Sequence, residues 1–274
     1  MRILIRTSLP ALWSRRFGSL ALPVAILPVF LHRERLVTTS EFVTIEMVGL
    51  GLAGLAVLLA IIGFFRLWFT GDHGWGKAVA GLVFGLICLA PFGFYGYQAW
   101  RYPALGDAST DFVRPLALVG TQAPEALDAT ARQRFVALYP NAQTRTYPIE
   151  ATEMYEIVGR LVEERGWQVL VDTAPADALG TGAINAIAMT LLGFRDEVAL
   201  RIEGRTTGSS VAMRSVAFAR PYDFGENGHR IEGFLAALDQ QVTLLMRNAP
   251  VARAPEGDSV APPVATEDDG IEAE

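Results

Sequence analysis

The chain has 274 residues, 51% of them hydrophobic, and a mean hydropathy of +0.30, which excludes a water-soluble domain along its whole length. The formal net charge of −6 is local, because seven acids and one base follow Asn248 and the rest of the chain is neutral. Neutrality without a basic stripe argues against nucleic acid as a partner, and the single cysteine, Cys88, can form no intrachain disulfide.

The first sixteen residues carry Arg2, Arg6, Arg15 and Arg16 and no acid. An apolar run from Phe17 to Leu31 comes next, interrupted by Pro23 and Pro28 and closed by His32-Arg33-Glu34-Arg35. A basic start and an apolar run fit a signal peptide, and Ser14-Arg15-Arg16-Phe17 is a short match to a twin-arginine export signal, but the run ends in charges rather than in a small-residue cleavage site. The run is therefore read as a first membrane span near 17–33. Val43 to Phe65 gives a second, near 43–65, broken only by Glu46 one turn from its end. The third, near 77–98, has no formal charge from Ala78 to Tyr97, about 30 Å of helix, and is fenced by Trp75, Tyr95, Tyr97, Trp100 and Tyr102.

Gly49, Gly51 and Gly54 in the second span, and the G-x-x-x-G of Gly81 and Gly85 in the third, predict a close antiparallel pair of these two helices. With three spans, Arg2, Arg6, Arg15, Arg16, Arg66 and Lys77 share one side, six positive residues against three on the other, Arg33, Arg35 and Arg101. The positive-inside rule then places the N-terminus in the cytoplasm and the residues beyond 104 in the periplasm. Were Phe17–Leu31 not to cross, the orientation would reverse.

Residues 105–147 read as an ordered connector with a short helix from Pro124 to about Leu138. Residues 148–247 read as an α+β domain. Glu150 to Arg165 is helical, with Met154, Val158, Leu161 and Val162 on one face. Four strands come after it: Trp167–Asp172, with Trp167, Val169 and Val171 inward; Gly182–Thr190, apolar on both phases; Glu197–Glu203; and Ser210–Phe218. A last helix runs from about Gly225 to Met246, with Asp223 and Glu226 at capping-box spacing. Consecutive strands with short links predict a four-stranded antiparallel sheet with both helices packed on one face. The second face of the apolar strand at 182–190 is either open to a lipid or partner or covered by the connector. Residues 248–274, rich in Pro, Ala and acids, are expected to be disordered.

Gly193-Phe194-Arg195-Asp196-Glu197-Val198, Arg201-Ile202, Met213-Arg214-Ser215-Val216 and the segment Asp223 to Ile231 together resemble a bacterial membrane-anchored family known only as domain-of-unknown-function family 1499. Asp107-Ala108-Ser109-Thr110-Asp111 is similar to that family's D-I-S-T-D connector, with Ala108 in place of Ile. The chain departs further in Glu197, where an Asp is usual, and in its long acidic tail. The resemblance spans roughly residues 17–245 and implies three N-terminal helices and this domain. It implies no chemistry.

No nucleophile elbow, phosphate-binding glycine loop or Cys/His metal spacing occurs, and no cofactor is implied. A polar set remains: Asp196 at a strand start, Arg201 and Arg214 on the outward phase of neighbouring strands, and Arg220, Asp223, Asn227 and Arg230 around the N-terminus of the last helix. Arginines beside a helix N-terminus suit a carboxylate or phosphate ligand. The alternative is structural: Asp223 caps the helix, Asn227 and Arg230 tie the loop, and Arg201 and Arg214 pair with Asp107, Asp111 or Glu203. The expected role is a non-catalytic binding or interaction module in the bacterial inner membrane, in contact with the bilayer and an envelope protein or lipid. An enzyme acting on an anionic lipid or acyl substrate, and an accessory subunit of a transport system, are the alternatives.

Overall fold

The structure, a computed structural model, describes residues 7–102, 106–120, 129–218 and 222–248. The start of the connector helix at 124–128 and the tail beyond 248 lie outside the described residues.

Three helices open the chain: α1 (Leu9–Arg33), α2 (Thr39–Thr70) and α3 (Trp75–Arg101). Each is long and apolar enough to cross a membrane. Thr38 starts α2 with a reciprocal cap: its hydroxyl accepts the Glu41 amide at 3.3 Å and its own amide donates to Glu41 Oε2 at 2.8 Å. Pro23 and Pro28 sit inside α1 and Pro91 inside α3, where each removes one intrahelical hydrogen bond.

Small residues hold the bundle together. Ser14 donates its hydroxyl to the Ala56 carbonyl at 2.8 Å, joining α1 to α2. A Cβ on Gly81 would run into Ser14 and come within 2.7 Å of the Arg15 nitrogen, whereas one on Gly85 would meet Val57 at 2.7 Å and the Ala53 carbonyl at 3.0 Å. The G-x-x-x-G of α3 therefore serves two partners, α1 at Gly81 and α2 at Gly85, and not the α2–α3 pair alone. Gly51 and Gly54 face no neighbour within 4 Å, so they take no part in the contact expected of them.

The second half contains β1 (Asp107–Ser109), α4 (Ala129–Leu138), β2 (Arg145–Tyr147), α5 (Ala151–Glu164), β3 (Gln168–Thr173), β4 (Thr181–Met189), β5 (Arg195–Arg205), β6 (Gly208–Ala217) and α6 (Glu226–Asn248). The antiparallel sheet has six strands, not four, in the order β1-β6-β5-β4-β3, with β2 also on β6. The two additions are three-residue strands of the connector, lying end to end along the outer edge of β6: Asp107–Ser109 against Val216–Arg214, and Arg145–Tyr147 against Val211–Ser209.

Val198, Leu200, Ile202, Val211 and Met213 face α5 and α6 and close a core with Met154, Ile157 and Val158 from α5 and Ile231, Phe234 and Leu235 from α6. The opposite face is crossed by residues 110–120, which act as a strap: Leu116 packs on Ala199 and Ala212 with Leu118 beside it. The strap covers β5 and β6 and reaches β4 at Asn185, and it leaves β3 open. All six residues of β3 are exposed. A bulge at Leu170 shifts the register between Val169 and Val171, so the inward run Trp167, Val169, Val171 does not form: only Trp167 stacks inward, on Phe234 at 5.5 Å.

Candidate functional site

The sheet divides the sequence-derived polar set between its two faces. Alternation along β5 sends Asp196 to the helix face and Arg201 to the strap face. On the helix face, Asp196 is fully buried and meets Arg230 of α6 (Nη2 to Oδ2, 2.7 Å). The other terminal nitrogen of that guanidinium donates to Asn227 Oδ1 at 2.7 Å and to Ser215 Oγ at 2.8 Å. Ser215 Oγ donates to Asn227 Oδ1 at 2.7 Å. The Asp223 carboxylate accepts the amides of Gly225, just before α6, and of Asn227, in its first turn, each at 3.1 Å, and so satisfies an otherwise unpaired donor of the helix start. Asp196, Asp223, Asn227 and Arg230 thus form one buried knot that fixes α6 to the sheet. Arg220 lies outside the described residues.

Arg201 and Arg214 point to the other face. Arg214 grips Asp107 through two bonds, Nη2–Oδ2 at 2.6 Å and Nε–Oδ1 at 3.0 Å, with both side chains nearly buried. It also donates to the Leu116 carbonyl at 2.8 Å. Arg201 pairs with Asp111 at 2.6 Å and with Glu203 at 3.0 Å, and donates to the Arg114 carbonyl at 3.0 Å. Arg114 closes on Glu203 through two bonds of 3.0 Å. Burial acts against ionisation of Asp111, but the amides of Arg114 and Val113 and the Arg201 guanidinium outweigh it and hold its carboxyl below the usual carboxylate range. This second group is a clasp over the strap.

Glu197 and Asn185 complete the clasp and belong to no site inferred from sequence. The fully buried Glu197 carboxylate accepts the amides of Val119 at 2.6 Å and Gly120 at 3.0 Å. Asn185 bridges Glu197 Oε1 at 3.1 Å and the Ala117 carbonyl at 2.9 Å. The sequence signal for both is a polar residue inside an otherwise apolar strand, which requires a partner when buried.

A third group joins the domain to the helices. His32, at the end of α1, bonds the Leu192 carbonyl through Nδ1 at 2.8 Å and lies between Phe42 and Phe194. Arg33 donates to the Leu191 carbonyl at 2.9 Å. These contacts fix the β4–β5 turn to the C-terminal end of α1. On the other side Phe224, in the left-handed region at φ +55°, meets Tyr95 of α3 edge-on at 5.2 Å. Tyr102 stacks on Tyr139 and bonds His229 at 3.0 Å. Burial, with Asp223 nearby, pushes the Tyr139 hydroxyl far above its ordinary range, so it is protonated and donates to the Gly225 carbonyl at 3.2 Å.

Among the described residues, no group of three or more His, Cys, Asp or Glu is placed to hold a metal ion. Residues 107–238 match the sequence profile of a family described as "Protein of unknown function (DUF1499)". The domain, from β1 through the greater part of α6, is a member of that family. The matched segment contains the knot and the clasp but not the three helices. No curated protein and no solved structure matches the chain.

Proposed function

We propose that this protein is a membrane-tethered, non-catalytic binding module of the bacterial cell envelope, with its domain on the periplasmic face of the inner membrane. One observation carries the reading: the six described residues of the polar set are engaged in the fold's own joints, while the domain is fixed to the helix ends from two sides. Such an arrangement supplies a rigid platform at the bilayer surface. It leaves β3, with Val169, Leu170 and Val171 exposed, as an uncovered sheet edge. The Lys/Arg asymmetry of six against three supports the orientation.

Two measurements test it in the full chain. Alkaline phosphatase fused after Met246 is expected to be active and green fluorescent protein at the same place dark; the opposite pair would move the domain to the cytoplasm. A photo-crosslinking residue at Val169 or Val171 is expected to give a discrete adduct with an envelope component in cells. The same residue at Val136, exposed on α4, is expected to give none. Equal labelling from strand and control, or none from either, would remove the platform.

A further inference from the structure

An open cavity of about 620 Å³ lies between the α1–α2 loop and the strap face of the sheet. Both halves of the chain wall it: Arg35 and Glu41 come from the loop and the start of α2, and Leu170, Ile187, Phe194 and Arg195 come from the sheet and the β4–β5 turn. The bulge in β3 turns Leu170 towards Gly120 at the end of the strap and so into this space. The loop joins two helices long and apolar enough to cross a membrane; with both across the bilayer, as the platform reading has them, the cavity opens at the level of the lipid headgroups.

On this wall the Glu41 carboxylate is already occupied by the amide and hydroxyl of Thr38. Among the described residues, neither Arg35 nor Arg195 has a carboxylate within ion-pair distance, in contrast to Arg201, Arg214 and Arg230. Arg35 is also held at φ +62°, the left-handed region that favours glycine. It stands just past α1, where the amides of Arg35 and Leu36 bond back to the carbonyls of His32 and Leu31. Glycine ordinarily ends a helix in this way, and a side chain there is strained. Here an arginine occupies the strained position and lines the cavity.

Two guanidiniums without carboxylate partners among the described residues, on a wall that mixes polar residues such as Thr39 and Gln168 with the apolar Leu36, Leu170, Ile187 and Phe194, suit an anion attached to a hydrocarbon body. We propose that the cavity binds the phosphate-bearing headgroup of an anionic lipid, with Arg35 and Arg195 on the phosphate and Leu170, Ile187 and Phe194 against the glycerol and upper chain. The inference rests on the platform reading only for the position of the domain at the bilayer surface.

The test is native mass spectrometry of the full chain in neutral detergent, titrated with phosphatidylglycerol, phosphatidylcholine or glycerol 3-phosphate. Wild type is expected to hold phosphatidylglycerol in preference to both. Arg35→Gly and Arg195→Gln are each expected to weaken it about ten-fold, the loss of a charge-assisted bond. Arg35→Gly should leave the domain's melting temperature equal or higher, because glycine relieves the backbone. Retention of wild-type affinity by both variants, or equal binding of phosphatidylcholine, would overturn the proposal. Tighter binding of glycerol 3-phosphate than of the lipid would overturn the lipid and leave a soluble phosphate ester as the ligand. Photo-adducts from β3 do not depend on these arginines, so a wild type that forms adducts but binds no phosphatidylglycerol sinks the cavity alone, and one that binds phosphatidylglycerol without adducts sinks the platform alone.

Discussion

On the helix face of the sheet, Val198, Leu200, Ile202 and Met213 meet α5 and α6 through apolar contact, and the polar knot sits at one end. On the strap face, Leu116 supplies the main apolar anchor, while Arg201, Arg214, Asn185 and Glu197 each hold a separate backbone group of residues 114–120. The physical difference is one of cooperativity. A helix brings its own hydrogen bonds and needs only an apolar stripe to dock. An extended strap has no internal ladder, so its amides and carbonyls must be met by side chains or water. The strap's sequence is accordingly tied to charged residues far away in the chain.

Removing one large anchor from each face gives the largest effects. Phe234→Ala is expected to cost about 3–5 kcal/mol through lost burial and a cavity. Arg214→Ala is expected to cost a comparable amount, about 3–5 kcal/mol, because it leaves the Asp107 carboxylate buried without its partner. The two costs differ in kind. Adding Asp107→Leu to an Arg214→Met chain should recover much of the loss, since well-packed apolar residues replace a buried pair at little cost. No second substitution of that kind rescues Phe234→Ala. Melting of the domain in the full chain measures both, and an Arg214→Ala protein that melts with wild type would show that the strap is held by something other than its ion pairs.

Glu197→Gln tests the far end of the strap with shape preserved. It removes the charge that receives the Val119 and Gly120 amides and is expected to cost about 1.5–3 kcal/mol. Faster hydrogen exchange at those two amides, with α5 unchanged, is the local signature; a global loss of protection would mean that the faces are not separable. Acid should release the near end in a different way. Asp111 has a folded pKa below its unfolded value, so its contribution is complete above the ordinary carboxylate range and is lost as pH falls through the folded value. Protection of the Val113 and Arg114 amides, which bond Asp111 Oδ1 at 3.0 and 2.9 Å, should decline over that acid range while Ile157 in α5 holds. Parallel decline of all three would erase the contrast.

The sequence discloses these two faces unequally. Periodicity reveals α5 and α6 and alternation reveals β5, because each buries one stripe over two or more turns or several alternations; β4 shows as an apolar run and β6 as the strand that follows β5 across a short glycine-bounded link. By sequence, Arg201 and Arg214 lie on the outward phase but fall with Asp196 in one polar set, and only the register of β5 and β6 shows that Asp196 lies on the opposite face. What periodicity cannot register is a strand of three residues, so β1 and β2 read as connector. A single bulge at Leu170 inverts the phase of β3. The pairs of Arg214 with Asp107 and of Arg201 with Asp111 are legible only as complementary charges, one option beside a ligand site. The contacts of Glu197 with Val119 and Gly120 are not legible, because amide donors carry no residue-type signal. Gly81 shows the same limit in the helices: the motif announces a close approach and cannot name α1 as the partner.

The smallest effect belongs to the outermost pair, and it separates clasp from decoration. Arg114 is well exposed and meets Glu203 through two parallel bonds, an arrangement that water and salt screen. Arg114→Ala is expected to cost about 0.2–1 kcal/mol, and less in high salt. The carbonyl of Arg114, which receives Arg201, is backbone and survives the substitution, so the strap keeps its register. The comparison therefore predicts a graded strap: its inner bonds at Arg214 and Glu197 resist salt because they are buried, and its outer bond at Arg114 does not. A loss from Arg114→Ala as large as that from Arg214→Ala would mean that the strap is held from its exposed end, and the distinction between the two faces would then be one of solvent exposure rather than of backbone satisfaction.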